Sequence, residues 1–222
     1  MLVNSTLTLI YDQLFQISGM VTSFCDPENY QDISWDSTDY MLSDDRLFLS
    51  FRVHPKKIWQ VKTENGLRTD LVTRLRECMS RKNVVAFGEI GIDLTAKHVT
   101  LEEQESGLIC LLKEFKEELI SNNTQLVLQC RNGPQSEADA ALSVMAIVGQ
   151  ILGHAQPLQI HFFQGNSAEV YKWLDNFPNT YFSIPVQPTM PIDAHHSNRL
   201  LEENSLRPPP VRNRRSIKDL TN

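Results

Sequence analysis

Short apolar runs alternate with segments of helical spacing along most of this chain. The apolar runs predict strands at 2–3, 19–24, 46–53, 84–89, 124–128, 158–160, 180–184 and 199–201. Apolar residues at helical spacing predict helices at 7–17, 66–79, 101–120, 137–152 and 167–177. About eight strands separated by helices, each strand ending in polar residues, favour an α/β fold of the (β/α)8 barrel type. An open doubly wound sheet is the alternative, although the chain has no GxGxxG phosphate-binding loop to support it.

The segment at 83–93 contains the strongest single signal for a ligand site. Residues 84–87 are apolar and rich in β-formers, and Gly88 then interrupts the run just before Glu89. This pattern predicts a buried parallel strand that ends at Glu89 and enters a tight turn. A carboxylate at the C-terminal end of such a strand lies where barrels and open α/β sheets bind ligands. An acidic loop residue after an ordinary strand is the alternative interpretation.

Composition limits the classes of protein to be considered. At 222 residues the chain fits one domain, and its net charge of −6 argues against broad electrostatic capture of nucleic acid. No apolar run approaches the ~18 residues of a membrane span, and no signal peptide is evident. Four scattered cysteines without a CxxC pair are typical of reduced thiols, so we expect an intracellular protein, cytoplasmic or nuclear. They are Cys25, Cys78, Cys110 and Cys130.

Five motifs at predicted strand ends share a family pattern. They are VHP at 53–55, GEIGID at 88–93, LVLQCR at 126–131, IHFFQG at 160–165 and LLEEN at 200–204. In this order they resemble the motifs of the TatD deoxyribonuclease family, metal-dependent hydrolases with a TIM-type barrel, and FCDP at 24–27 resembles its eukaryotic branch. Gln104 stands where the family has a glutamine in the helix after GEIGLD. Arg52 stands at a family glycine and Lys56 at a family histidine.

The resemblance implies a barrel domain over residues 1–206, followed by a basic proline- and arginine-rich tail at 207–222. Family barrels continue past the last motif with further helices, whereas this chain ends after its tail. We therefore expect the barrel to be incomplete at its C-terminal end, and the tail to be disordered.

Most of the metal ligands that the resemblance implies are replaced. Family members hold two divalent ions, and of six ligand positions only Glu89 and His161 keep the family residue type. The replaced positions are Asn4 and Thr6 for an HxH pair, Gln129 for a histidine and Asn204 for an aspartate. A divalent ion (Mg, Mn or Zn) is the implied cofactor. One carboxylate and one imidazole make a weak site, so we expect low occupancy.

The replacement at Asn204 bears directly on catalysis. The family aspartate is expected to accept a proton from the attacking water, and the Asn204 amide cannot do so. We therefore expect hydrolysis of DNA phosphodiester bonds to be absent or weak. The alternative functions are a non-catalytic phosphate- or nucleic-acid-binding module and a protein-interaction module on the same barrel.

Substrate contacts are implied for His54, Arg131 and Asp93, with DNA or another phosphate-bearing ligand as partner and no membrane contact. Structural roles are the alternatives. His54 is then a turn cap, Arg131 pairs with a neighbouring carboxylate, and His161 is a strand-end histidine with its hydrogen bonds satisfied. The sequence does not indicate an oligomeric state.

Overall fold

The computed structural model describes residues 19–24, 26–27, 46–134 and 137–184. The strands are β1 (Met20–Phe24), β2 (Leu47–Phe51), β3 (Lys62–Thr63), β4 (Gly66–Leu67), β5 (Val84–Asp93), β6 (Gln125–Arg131), β7 (Leu158–Ile160) and β8 (Thr180–Phe182). Six of them form one sheet in the order β1-β2-β5-β6-β7-β8, and every neighbouring pair is parallel. The short strands β3 and β4 form a separate antiparallel hairpin. The predicted α/β class is confirmed.

Helices lie in the connections from β2 to β5, β5 to β6, β6 to β7 and β7 to β8, as parallel pairing requires. They are the 3₁₀ helix Pro55–Gln60 and the α-helices α1 (Thr69–Met79), α2 (Leu101–Glu114), α3 (Lys116–Ser121), α4 (Ala140–Leu152) and α5 (Ser167–Asn176). Local sequence fixes several of their starts. Thr100 with Glu103 forms a capping box at α2, and Asn166 with Glu169 forms another at α5. No helix in the part of the chain that the structure describes is long and apolar enough to cross a membrane.

Strand β5 lies in the middle of the core. Its residues from Ala86 to Asp93 are all buried, as expected for a parallel strand covered on both faces. Helix α2 packs against β5 and α4. It comes so close to the 3₁₀ helix that a Cβ at Gly107 would lie 2.0 Å from Ile58 Cγ1. The largest fully buried side chains include Trp173, Phe51, Phe87, Phe115 and Phe177.

Two glycines keep β5 continuous through the GEIGID motif. Gly88 and Gly91 have φ of 133° and 139°, and the register against β6 shifts between Gly88 and Ile90. A Cβ at these glycines would lie 2.1 Å from the Val127 carbonyl oxygen and 2.2 Å from that of Gln129. The prediction that the strand ends at Glu89 is therefore wrong. The glycines form an irregularity inside the strand, which continues to Asp93.

Other differences from the sequence predictions also lie at element ends. Strand β6 continues to Arg131, three residues past its predicted end at 128. Helix α1 begins at Thr69 because Gly66 and Leu67 pair with Lys62 and Thr63 instead. The helix predicted at 101–120 is divided at Phe115 into α2 and α3. The strands predicted at 2–3 and 199–201, the helix at 7–17 and the tail at 207–222 lie outside the described residues.

Candidate functional site

The C-terminal edge of the parallel sheet brings most of the described candidate residues together. Parallel strands end at the same edge, so residues of β2, β5, β6 and β7 that are far apart in sequence meet there. The side chains form two groups, each arranged around one buried carboxylate. Glu89 is the centre of the first group and Asp93 is the centre of the second.

Glu89 is 7% exposed and has two partners at the same carboxylate oxygen. Arg52 Nη1 forms an ion pair with Glu89 Oε1. His161 Nε2 lies 3.2 Å from that oxygen. The structure thus brings together the two retained metal-ligand candidates, Glu89 and His161, but it adds an arginine to them. The negative charge of Glu89 is balanced by the guanidinium.

Asp93 is fully buried and surrounded by donors. Its Oδ1 accepts hydrogen bonds from the Thr95 N–H at 2.9 Å and the Thr95 hydroxyl at 2.5 Å. Its Oδ2 lies 3.2 Å from Lys56 Nζ and 3.8 Å from Arg131 Nη1. Burial by itself raises the pKa of the Asp93 carboxyl. The bonds from Thr95 and the Lys56 ammonium outweigh burial and hold that pKa below its ordinary value.

Gln104 on α2 fixes the backbone at the end of β5. Its side chain is 1% exposed, and its Oε1 accepts the Asp93 N–H at 2.7 Å. Its Nε2 donates to the Asp93 carbonyl oxygen at 3.2 Å and to the Val99 carbonyl oxygen at 3.3 Å. The helix therefore holds Asp93 in place without contacting its carboxylate.

His54 caps the 3₁₀ helix that follows β2. Its Nδ1 accepts the Lys56 N–H at 3.1 Å, which requires that nitrogen to be unprotonated. Burial lowers the pKa of His54, and the nearby Arg52 guanidinium lowers it further. His54 therefore has the structural role that was its alternative interpretation, that of a turn cap. A substrate contact for His54 stays a prediction.

A cavity of about 250 Å³ opens between the ends of β6 and β7 and the helices α4 and α5. Gln129, Arg131 and His161 all line it, together with Phe162 and Trp173. Arg131 Cζ lies 5.9 Å from the centre of the Phe162 ring, so the guanidinium contacts the aromatic face as well as Asp93. Arg131 thus has a carboxylate neighbour, as the structural interpretation of this residue expects. Its side chain is still 42% exposed.

The donor set is a poor match for a centre of two metal ions. In the described ranges no three His, Cys, Asp or Glu side chains come together as potential ligands. Glu89 and His161 adjoin each other, while Gln129 offers at most a neutral amide oxygen. An ion at Glu89 would also compete with the Arg52 guanidinium. Asn4, Thr6 and Asn204 lie outside the described residues.

Two cations of the site were not selected from the sequence as site residues. Arg52 and Lys56 appeared there only as departures from a family motif, yet they contact Glu89 and Asp93 respectively. A signal for them was present. Both flank the end of a predicted strand, and two carboxylates flank the end of the next one along the chain. Opposite charges at neighbouring strand ends of a parallel sheet are expected to pair.

Comparison with known proteins supports the resemblance seen in the motifs. The family model described as "TatD related DNase" matches residues 13–207. A search of curated proteins found no match. The crystal structure of an uncharacterized amidohydrolase from Saccharomyces cerevisiae is similar, with a TM-score of 0.55 and 17% identity over 73% of this chain. This chain spans about half of that protein, 55% of its length, and the likeness concerns the fold alone.

The family match extends over most of the chain and contains every described element of the sheet edge. The alternating helices and six parallel strands agree with the TIM-type barrel of that family. The chain therefore belongs to the TatD-related DNase family.

Proposed function

We propose that this protein is a TatD-family hydrolase homologue in which hydrolysis of DNA phosphodiester bonds is lost or weak. The ion pair between Arg52 and Glu89 is the observation that supports this proposal most directly. Phosphodiester hydrolysis by this kind of site needs bound ions to activate a water molecule and offset the charge of the transition state. Glu89 is the acidic ligand retained for that task.

Binding an ion at Glu89 would displace Arg52 from its carboxylate. The side chains of Arg52 and Glu89 are 14% and 9% exposed, so a displaced guanidinium would stay largely buried without its partner charge. Such a loss is strongly unfavourable. The side chains of Gln129 and Asn204, which stand at two of the expected ligand positions, are neutral amides. They therefore supply no negative charge that would compensate for this loss. Asn204 also offers no base for the attacking water, because an amide does not accept its proton.

The test is a calorimetric titration of the purified wild type and of Glu89→Ala with Mn²⁺ and with Zn²⁺. The same samples are assayed for cleavage of a labelled single-stranded DNA. We expect no stoichiometric binding that depends on Glu89 and no cleavage above that of Glu89→Ala, which also controls for contaminating nuclease. Stoichiometric metal binding by the wild type that Glu89→Ala loses, accompanied by cleavage of the DNA, would overturn the proposal.

A second function, binding of a phosphate-bearing ligand without cleavage, is favoured by one observation. Arg131 and Lys56 approach the same carboxylate oxygen of Asp93, and their side chains remain 42% and 39% exposed. Two partly exposed cations therefore share a single negative charge at the sheet edge. A phosphate group entering there would gain charge-assisted hydrogen bonds.

Calorimetry with inorganic phosphate and with a single-stranded oligonucleotide tests this second function. Arg131→Gln should weaken binding of either probe. Arg74→Gln is the matched control because Arg74 also pairs with a carboxylate, that of Glu77, but lies on α1. Equal binding by the two variants would exclude a role for Arg131.

A further inference from the structure

We propose that the Arg52 guanidinium is the permanent counter-cation of Glu89 and keeps divalent ions away from this end of the sheet, an inference that rests on the proposed loss of hydrolysis. The protein would then contain a latent cation site that its own arginine fills. The ligand class of that latent site is a divalent metal ion or a free guanidinium ion.

Burial makes a counter-charge for Glu89 necessary. The carboxylate is enclosed in the core at the middle of β5, where an isolated charge is strongly disfavoured. His161 Nε2 lies 3.2 Å from the same oxygen, within reach of a single hydrogen bond. Arg52 supplies the full positive charge, and its planar guanidinium suits a carboxylate.

The fold holds Arg52 in position for this role. Arg52 directly follows β2, and its N–H donates to the Phe24 carbonyl oxygen at 3.1 Å on the neighbouring β1. Its sequence neighbours Phe51 and Val53 are 0% and 1% exposed, so the backbone around Arg52 is anchored on both sides. The guanidinium is thus attached to a fixed segment beside β5.

A further bond fixes β2 against β5. The Ser50 hydroxyl donates to the Gly88 carbonyl oxygen at 2.7 Å, next to Glu89. Phe51 also lies opposite Phe87 in the strand register, and Arg52 follows this pair by one residue and Glu89 by two. The ion pair therefore follows from the way in which the two strands pair.

The surrounding charges also disfavour an added cation. In the described part of the chain, three cations contact the two carboxylates of this edge: Arg52 at Glu89, and Lys56 and Arg131 at Asp93. Glu89 and Asp93 are thus each paired with a cation before any ion arrives. A divalent ion at Glu89 would therefore have to displace the Arg52 guanidinium or lie beside it, where the two like charges repel each other.

Thermal unfolding with and without Mn²⁺ tests the inference on wild type, Arg52→Met and Arg52→Met/Glu89→Gln. Methionine keeps much of the volume of arginine and removes its charge. We expect no Mn²⁺ response in the wild type and a lower midpoint in Arg52→Met. Saturating Mn²⁺ should raise the midpoint of Arg52→Met by about 3 °C or more, because a ligand that binds only the folded state stabilises it. Low millimolar guanidinium should act in the same direction, and Glu89→Gln should abolish both responses.

Arg74→Met is the control, because it removes an arginine paired with Glu77 far from this edge. An Mn²⁺ response of Arg52→Met no larger than that of Arg74→Met would overturn the inference, as would an equal response in the wild type that requires Glu89. If Arg52→Met does not fold, folding of the double variant supports the inference, and failure of both contradicts it. The proposed function is judged separately, by DNA cleavage in the wild type.

Discussion

The backbone of Asp93 and the side chain of Gln104 bind each other in both directions. Asp93 N–H donates to Gln104 Oε1 at 2.7 Å, and Gln104 Nε2 donates to the Asp93 carbonyl oxygen at 3.2 Å. A helix side chain thus takes the place of a neighbouring strand at the point where β5 ends. The position of the Asp93 carboxylate depends on this contact.

Replacing Gln104 by leucine should destabilise the protein markedly. The change leaves the buried Asp93 N–H without its acceptor, which costs about 2–3 kcal/mol of unfolding free energy. Urea unfolding measures the effect. Glu102→Gln, an exposed change on the same helix, is the control and should stay within about 0.5 kcal/mol of the wild type. Equal stabilities of the two variants would contradict the role assigned to Gln104.

Asp93 should contribute stability that acid removes. Since its pKa in the folded protein is lower than in the unfolded chain, this contribution is present above the ordinary carboxyl pKa and declines as the pH falls through the folded value. Thr95→Val removes a hydroxyl donor, so it should raise the pKa of Asp93 and move the decline to higher pH. Carbon-13 NMR titration of the Asp93 carboxyl group measures its pKa. Unfolding experiments between about pH 2 and 6, roughly the range over which carboxyl groups titrate, measure the loss of stability. Thr73→Val, a change at an exposed position of α1, should leave both readouts unchanged.

Gly91 should tolerate alanine far less well than Gly66 does. The two have similar positive φ, 139° and 129°, so alanine suffers similar backbone strain at both positions. At Gly91 the new Cβ would lie 2.2 Å from the Gln129 carbonyl oxygen, whereas nothing lies within 4 Å at Gly66. We expect Gly91→Ala to lose about 2 kcal/mol or more beyond Gly66→Ala in denaturant unfolding. Similar losses would show that strain alone makes glycine necessary.

Arg52→Met should raise the pKa of His54. Burial is the larger cause of the lowered value and persists in the variant, so the pKa should move toward the ordinary 6.5 while staying below it. NMR titration of the imidazole protons measures the change. Lys57→Met, in the 3₁₀ helix that His54 caps, should produce no comparable change. An unchanged His54 in Arg52→Met would mean that the guanidinium does not act on it.

The sequence predicted the architecture well and the ends of its elements less well. Strand β7 was predicted at 158–160 and lies there, because an isolated apolar run between polar residues has few alternatives. Glu89 and His161 were expected to share a site and lie 3.2 Å apart. Gly88 was misinterpreted as a sign that the strand ends at Glu89. A glycine ends a strand or sits inside it according to what the neighbouring strand places beside it, here the Val127 carbonyl oxygen.

The pairing of the charges was harder to predict from sequence. Arg52 and Glu89 are distant along the chain, and their contact depends on β2 and β5 being neighbours in the sheet. Lys56 illustrates the same difficulty, since it reaches Asp93 only because the 3₁₀ helix turns back over the end of β5. Local patterns identify such residues as charged strand-end positions and leave their partners open.

A cation that belongs to the polypeptide differs from a bound metal ion in what sets its concentration at the site. The guanidinium of Arg52 is attached to the chain, so its local concentration at Glu89 is set by a few covalent bonds and not by the surrounding medium. Chelators cannot remove it, and dilution cannot exchange it for another ion. Folding of this barrel should therefore be indifferent to metal starvation, and the charge at the centre of β5 should be the same in every protein molecule.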